Sequence, residues 1–200
     1  MHQAGYDFAI PGNHEFDYGM ERFLSLSNRL NCGYYSCNLT KGPGNGSILR
    51  PYKLVDYDDV TVAYVGVTTP ESITKSTPTY FQDKSGRYIY GFCDDTTGDT
   101  LYKQVQKAVD SAREEGADYV VLVGHLGDEG TTDYWTSKKV IANTNGIDIA
   151  IDGHSHETFT LKVPNKDGVM VSLTQTGTKF ANIGKITITP AGEITVELVD

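Results

Sequence analysis

Apolar residues in this chain gather in short, nearly unbroken runs rather than in strict alternation: Phe8 to Ile10, Tyr119 to Val123 and Ile147 to Ile151. Such runs suit strands covered on both faces, so they predict inner strands of a layered domain. Each run follows a Gly-x-Asp turn and ends at a glycine and a histidine. The three segments are Gly5-Tyr6-Asp7 to Gly12-Asn13-His14, Gly116-Ala117-Asp118 to Gly124-His125, and Gly146-Ile147-Asp148 to Gly153-His154. Val60 to Thr68 reads as a further buried strand. Val169 to Leu173, Gly184 to Thr189 and Ile194 to Leu198 read as late strands, the last two joined by Pro190-Ala191-Gly192. Helical spacing appears over Met20 to Leu30, through Phe23, Leu24, Leu26 and Leu30, and over Asp99 to Glu115, through Leu101, Val105, Ala108, Val109 and Ala112. Gly116 is placed to stop the second helix. The pattern predicts an α/β fold of layered mixed sheets flanked by helices. Residues 71–98 break it with Pro78, Gly86, Gly91, Gly98 and scattered aromatics, and are expected to form a surface insertion outside the sheet, near the mouth of a site. Tyr80 and Tyr88 there are candidates for substrate selectivity.

Composition narrows the class. A chain of 200 residues with 38% hydrophobic and 22% charged residues suits one soluble globular domain. Its formal charge of −9, with no basic stripe, excludes a nucleic-acid duplex as partner. A small anionic substrate would need concentrated local positive charge, such as bound divalent cations. Cys32, Cys37 and Cys93 make no CxxC pair and read as packing residues or at most one incidental bridge. No run approaches the ~20 apolar residues of a membrane span, and no signal segment or anchor is visible.

The candidate chemistry lies where the strands end. Ligands of open α/β sheets bind at the carboxyl ends of strands, and four of the five histidines, His14, His125, His154 and His156, fall there. One glycine–histidine step is an ordinary turn; three that converge are a site. In an extended chain, residues two apart share a side, so His154 and His156 are expected to face one cluster. With Asn13 and His125 they form a nitrogen and oxygen donor set suited to zinc, manganese, iron or cobalt. Asn13 and His14 are adjacent, so one is expected to ligate and the other to face substrate. His14 and Asp17, three apart, suit a hydrogen-bonded pair that stabilises charge on a phosphate oxygen or leaving group. Asp152 is expected to point away from the His154 face.

The segments GNHEFDYG at 12–19, VGHLG at 123–127 and IDGHSHE at 151–157, with the TTPES turn at 68–72, resemble the metallophosphatase (calcineurin-like phosphoesterase) superfamily, and within it the bacterial 5′-nucleotidase branch. The resemblance implies an α/β/β/α sandwich and a hydrolase of nucleotide catabolism. Asn13, His125 and His154 would bind one divalent metal and His156 a second, with His14 and Asp17 as the catalytic pair. A metal-activated water would attack a nucleotide phosphomonoester. The family's upstream Asp-x-His and Gly-Asp ligand segments and its C-terminal nucleotide-binding domain have no counterpart here, so residues 1–200 are expected to be a partial catalytic domain. Such a domain would hold at most one cation firmly, and an open sheet edge would favour self-association. The family suggests export to the cell envelope or beyond. Two alternatives stand beside this one: a cyclic-nucleotide phosphodiesterase or other ester hydrolase on the same core, and a non-catalytic metal-binding or interaction domain.

Overall fold

The computed structural model describes residues 1–42 and 46–199. Its frame is a mixed sheet of six strands: β1 (Tyr52–Tyr57), β2 (Val60–Thr68), β3 (Tyr119–His125), β4 (Ile149–Asp152), β5 (Thr158–Pro164) and β6 (Met170–Thr176). They lie in the order β1-β2-β3-β4-β6-β5. The four inner strands are parallel, and β1 and β5 form antiparallel edges. A two-stranded ribbon, β7 (Ile183–Ile188) and β8 (Ile194–Val199), stands apart from this sheet. Four helices complete the frame: α1 (Met20–Ser27), α2 (Ser72–Lys75), α3 (Asp99–Glu114) and α4 (Ser137–Ala142).

Both faces of the inner strands are covered, which is why their sequences are continuous runs. On one face α3 lays Leu101, Val105, Ala108, Val109 and Ala112 against Ala63, Val65, Val120, Leu122 and Leu173, and α4 adds Val140 and Ile141. On the other, Val62, Val121 and Ile149 meet Ile186, Ile188, Ile194 and Val196 of the ribbon. Full burial of such a side chain contributes about 1.5–3 kcal/mol, so these two contacts hold the sheet between its covers. A groove of about 610 Å³ runs between β2, β3 and the ribbon, lined by Val60, Val62, Tyr64, Val121, Ile186 and Ile188. Among the described residues the layers are helix, six-stranded sheet and ribbon. No described helix is long and apolar enough to cross a membrane.

The recurring Gly-x-Asp segments have a physical basis. Gly5, Gly116 and Gly146 all take left-handed backbone, with φ of 74°, 99° and 80°, which favours glycine. The aspartates that follow the latter two stitch strand starts together: Asp118 Oδ2 accepts the Thr61 amide at 2.8 Å, and Asp148 Oδ2 accepts the Val120 amide at 2.7 Å.

Three expectations are corrected. Phe8–Ile10 is not an inner strand; it makes a single parallel bridge, Ala9 to Tyr34. Its partner belongs to a loop that reaches Arg50 by one more bridge, so no ladder forms to extend it. The other two segments do form strands, β3 and β4, which are parallel. Residues 71–98 lie outside the sheet but are not a bare surface insertion. Phe81 and Phe92 are fully buried and pack with Phe16, Met20, Phe23, Leu39 and Ile73 into a second core. The Phe16 ring stands edge-on to Phe23, Phe81 and Phe92 at 4.9, 5.6 and 5.3 Å between centres. Large aromatic surface of this kind drives a segment inward. The third correction concerns residues 153–156, where His154 and Ser155 form a bend and both His154 and His156 take positive φ rather than extended backbone.

Candidate active site

β3 delivers His125 at its carboxyl end, and β4 ends at Asp152, two residues before His154. Because the two strands are parallel, both rings emerge on one edge, with centres 4.9 Å apart. The Gly12 turn comes up to the same edge. There Asn13 opens a short 3₁₀ turn, Asn13–Phe16, and its buried side chain places Oδ1 3.0 Å from His125 Nε2. Only glycine permits that approach at position 12, since a Cβ there would lie 2.8 Å from His125 Cε1 and Nε2. Glu15 pins the turn by accepting the Gly12 amide at 2.6 Å.

Burial pushes the His125 pKa down to about 4, and His154, His14 and His156 add to the effect. His125 is therefore a neutral imidazole near pH 7, with one ring nitrogen free to donate electrons.

His154 and His156 take positive φ, 82° and 60°, in a region costly for side chains other than glycine. The strand-like alternation expected for this pair does not occur. His154 turns inward, with 8% of its side chain exposed, whereas His156 is exposed. Of the adjacent pair, Asn13 is buried, and the His14 side chain is 78% exposed. His14 Nδ1 stands 2.8 Å from Asp17 Oδ2, and the Ser76 hydroxyl reaches the other Asp17 oxygen at 3.5 Å.

Two carboxylates shape the rear of the site. Asp152 points away from His154 and accepts the amides of Leu126 and Gly127 at 2.8 and 3.0 Å, fixing the chain just after His125. Its burial raises its pKa. Glu71 was not anticipated as a site residue. Its Oε2 lies 3.1 Å from His154 Nε2, and its Oε1 accepts the Thr132 amide at 2.8 Å and hydroxyl at 2.6 Å. Burial pushes its pKa up, but the Thr132 and His154 contacts outweigh this and hold it below the usual carboxylate range. The only sequence signal was an acid in the TTPES turn, where the bland assignment is a solvated turn residue.

Asn13, His125 and His154 are the residues here that could hold a cation. Asn13 Oδ1 and His125 Nε2, 3.0 Å apart, have the spacing of neighbouring ligands around an ion held at ~2.1 Å. His154 Nε2 faces Glu71, and Nδ1 is the other nitrogen of that ring. Among the described residues no group of three or more His, Cys, Asp or Glu is placed to hold a metal ion.

Known proteins resemble the chain at the level of both sequence and fold. Residues 2–158 match the family model for calcineurin-like phosphoesterase. The 5′-nucleotidase of Bos taurus is 30% identical over 173 residues, covering 84% of this chain and 27% of the relative. The chain spans about a quarter of the length of the curated relatives it matches. Among solved structures, a 5′-nucleotidase precursor from Thermus thermophilus superposes with a TM-score of 0.74 at 23% identity, over 100% of this chain and 39% of that one. The sulfate thiohydrolase SoxB of the same species reaches 0.77 at 19% identity, over 99% and 33%. These structures share the mixed α/β fold. With the family model covering more than half of its residues, the chain belongs to the calcineurin-like phosphoesterase family, whose members generally use two divalent metals.

Proposed function

We propose that the chain carries the phosphoester-hydrolysing machinery of a 5′-nucleotidase, acting on nucleotide phosphomonoesters. The observation that carries this reading is the meeting of the buried Asn13–His125 pair with His154 at one sheet edge, beside the exposed His14–Asp17 pair. The 5′-nucleotidase relatives supply the substrate class.

Asn13, His125 and His154 Nδ1 would hold one cation, with His156 toward a second. When bound, the cations would supply positive charge for the phosphoryl oxygens and acidify the attacking water. The chain's own residues do the rest. Asp17 orients His14 through Nδ1, so that Nε2 faces outward as a proton donor to the leaving oxygen. Gly12 and Glu15 hold the Asn13–His14 turn, and Asp152 holds the loop that follows His125. Carboxylate ligands from outside the described residues would complete the second cation site, because hard divalent ions favour anionic oxygen.

The test is phosphate release from AMP and from a cyclic nucleotide with Mn²⁺, Co²⁺ or Zn²⁺. It should be run on this chain and on the chain extended by any native sequence preceding it. Release from AMP by the extended protein is expected. Hydrolysis of the diester alone would replace the substrate class. One bound cation with no turnover in either form would favour the non-catalytic reading, to which the neutral charge of the donors Asn13, His125 and His154 lends its weight.

A further inference from the structure

The proposed use of His154 leaves open what holds its ring. Its backbone is left-handed and lies in a bend, so no regular structure fixes the side chain. Among the described residues the polar contact on the ring is Glu71, and both side chains are only 8% exposed. We propose that Glu71 is a positioning residue that locks His154 in the tautomer with its proton on Nε2, leaving the Nδ1 lone pair as the ring's only donor.

The chemistry of the contact requires this assignment. An ionised carboxylate only accepts hydrogen bonds, so at 3.1 Å the Nε2 position must carry the hydrogen. The carboxylate is itself held from behind. Thr132 donates both its amide and its hydroxyl to Oε1, leaving Oε2 for the imidazole. Neither partner can turn to water, because both are buried. The bonds also tie the turn after β2 to the loop after β3, so one carboxylate couples two loops of the site to the third, 153–156. Supporting partners of this kind fix ligand orientation, and their loss typically weakens metal affinity 10–100-fold.

This inference rests on the proposed role of His154 as a ligand, but its first measurement does not depend on hydrolysis. A long-range ¹H–¹⁵N spectrum of the metal-free chain at neutral pH should show His154 with its proton on Nε2, the signals being assigned by their loss in His154→Gln. In Glu71→Ala the ring should become a mixture of tautomers, and Zn²⁺ affinity measured by titration should fall about 10–100-fold. Glu71→Gln keeps one acceptor oxygen, which the two Thr132 donors claim, so its NH2 faces the ring; the proton should move from Nε2 to Nδ1, and Zn²⁺ affinity should fall as it does in Glu71→Ala. Thr132→Val, which keeps the amide bond to Oε1 and loses only the hydroxyl, should fall between wild type and Glu71→Ala. A wild-type His154 carrying its proton on Nδ1 would overturn the proposal. So would a folded Glu71→Ala with unchanged tautomer and Zn²⁺ affinity. Should Glu71→Ala fail to fold, the wild-type tautomer and Glu71→Gln decide the matter. The expected tautomer together with no hydrolysis of any nucleotide would count against the enzymatic reading and leave this one standing.

Discussion

The site contains the same chemical couple twice, an imidazole against a carboxylate, in opposite surroundings. His14 and Asp17 meet at 2.8 Å with 78% and 41% of their side chains exposed. His154 and Glu71 meet at 3.1 Å with 8% of each exposed. Distance therefore does not separate them; burial does. In water the first pair gains little stability from its attraction, but its outer nitrogen can meet a substrate. The second is largely shielded from solvent, and its worth lies in leaving no buried polar group unpaired. The comparison teaches that one motif serves as a moving part at the surface and as a bracket in the interior.

The largest effect expected from breaking this contrast is kinetic. In protein that hydrolyses AMP, His14→Ala should lower kcat by roughly 10²–10⁴-fold and leave the urea midpoint within error of wild type. A large stability loss instead would move His14 into the bracket class.

Next is the pH response of the ring between the two couples. His125 titrates near 4 in the fold and near 6.5 when unfolded. Between these values the unfolded chain binds more protons, so stability is full above about pH 6.5 and falls as pH drops toward 4. The loss is on the order of 3 kcal/mol at most. Urea midpoints of the metal-free chain at pH 7.5 and 5 should show it, and His125→Gln should flatten the slope.

The smallest effects separate the couples by stability alone. Glu71→Ala strips the Thr132 amide and the His154 ring of their acceptor and should cost about 1–3 kcal/mol. Asp17→Ala should stay within about 0.5 kcal/mol. Equal losses in the two variants would erase the distinction.

What could be foreseen from the chain follows the same division between local and distant causes. β2 and α3 were legible because their apolar spacing states a period directly, and β3 because a run covered on both faces leaves no polar alternation. β5 escaped notice for the converse reason. It is an edge strand whose residues alternate between exposed and partly buried, and continuous runs were the signal sought. Phe8–Ile10 looked like a strand because three apolar residues do not say whether a ladder waits beside them. His125 and His154 stand out at the ends of β3 and β4, and Asn13 and His14 by the same glycine-to-histidine step without a strand before it, whereas Glu71 carries no such mark. Its partners, Thr132 and His154, are 61 and 83 positions away, and nothing local distinguishes a buried acid from a solvated one.

The closeness of Gly12 to His125 has a consequence for how this chain can vary over generations. A side chain at position 12 would occupy the space of the imidazole, so the two positions cannot change independently. A lineage that exchanged the glycine first would displace the ring and lose its donor, while one that shrank the histidine first would lose the donor outright. No single-step route leads away from the pair. Substitutions should therefore accumulate elsewhere along the turn while these two positions persist or vanish together, a linked inheritance that a sufficiently deep family tree would record.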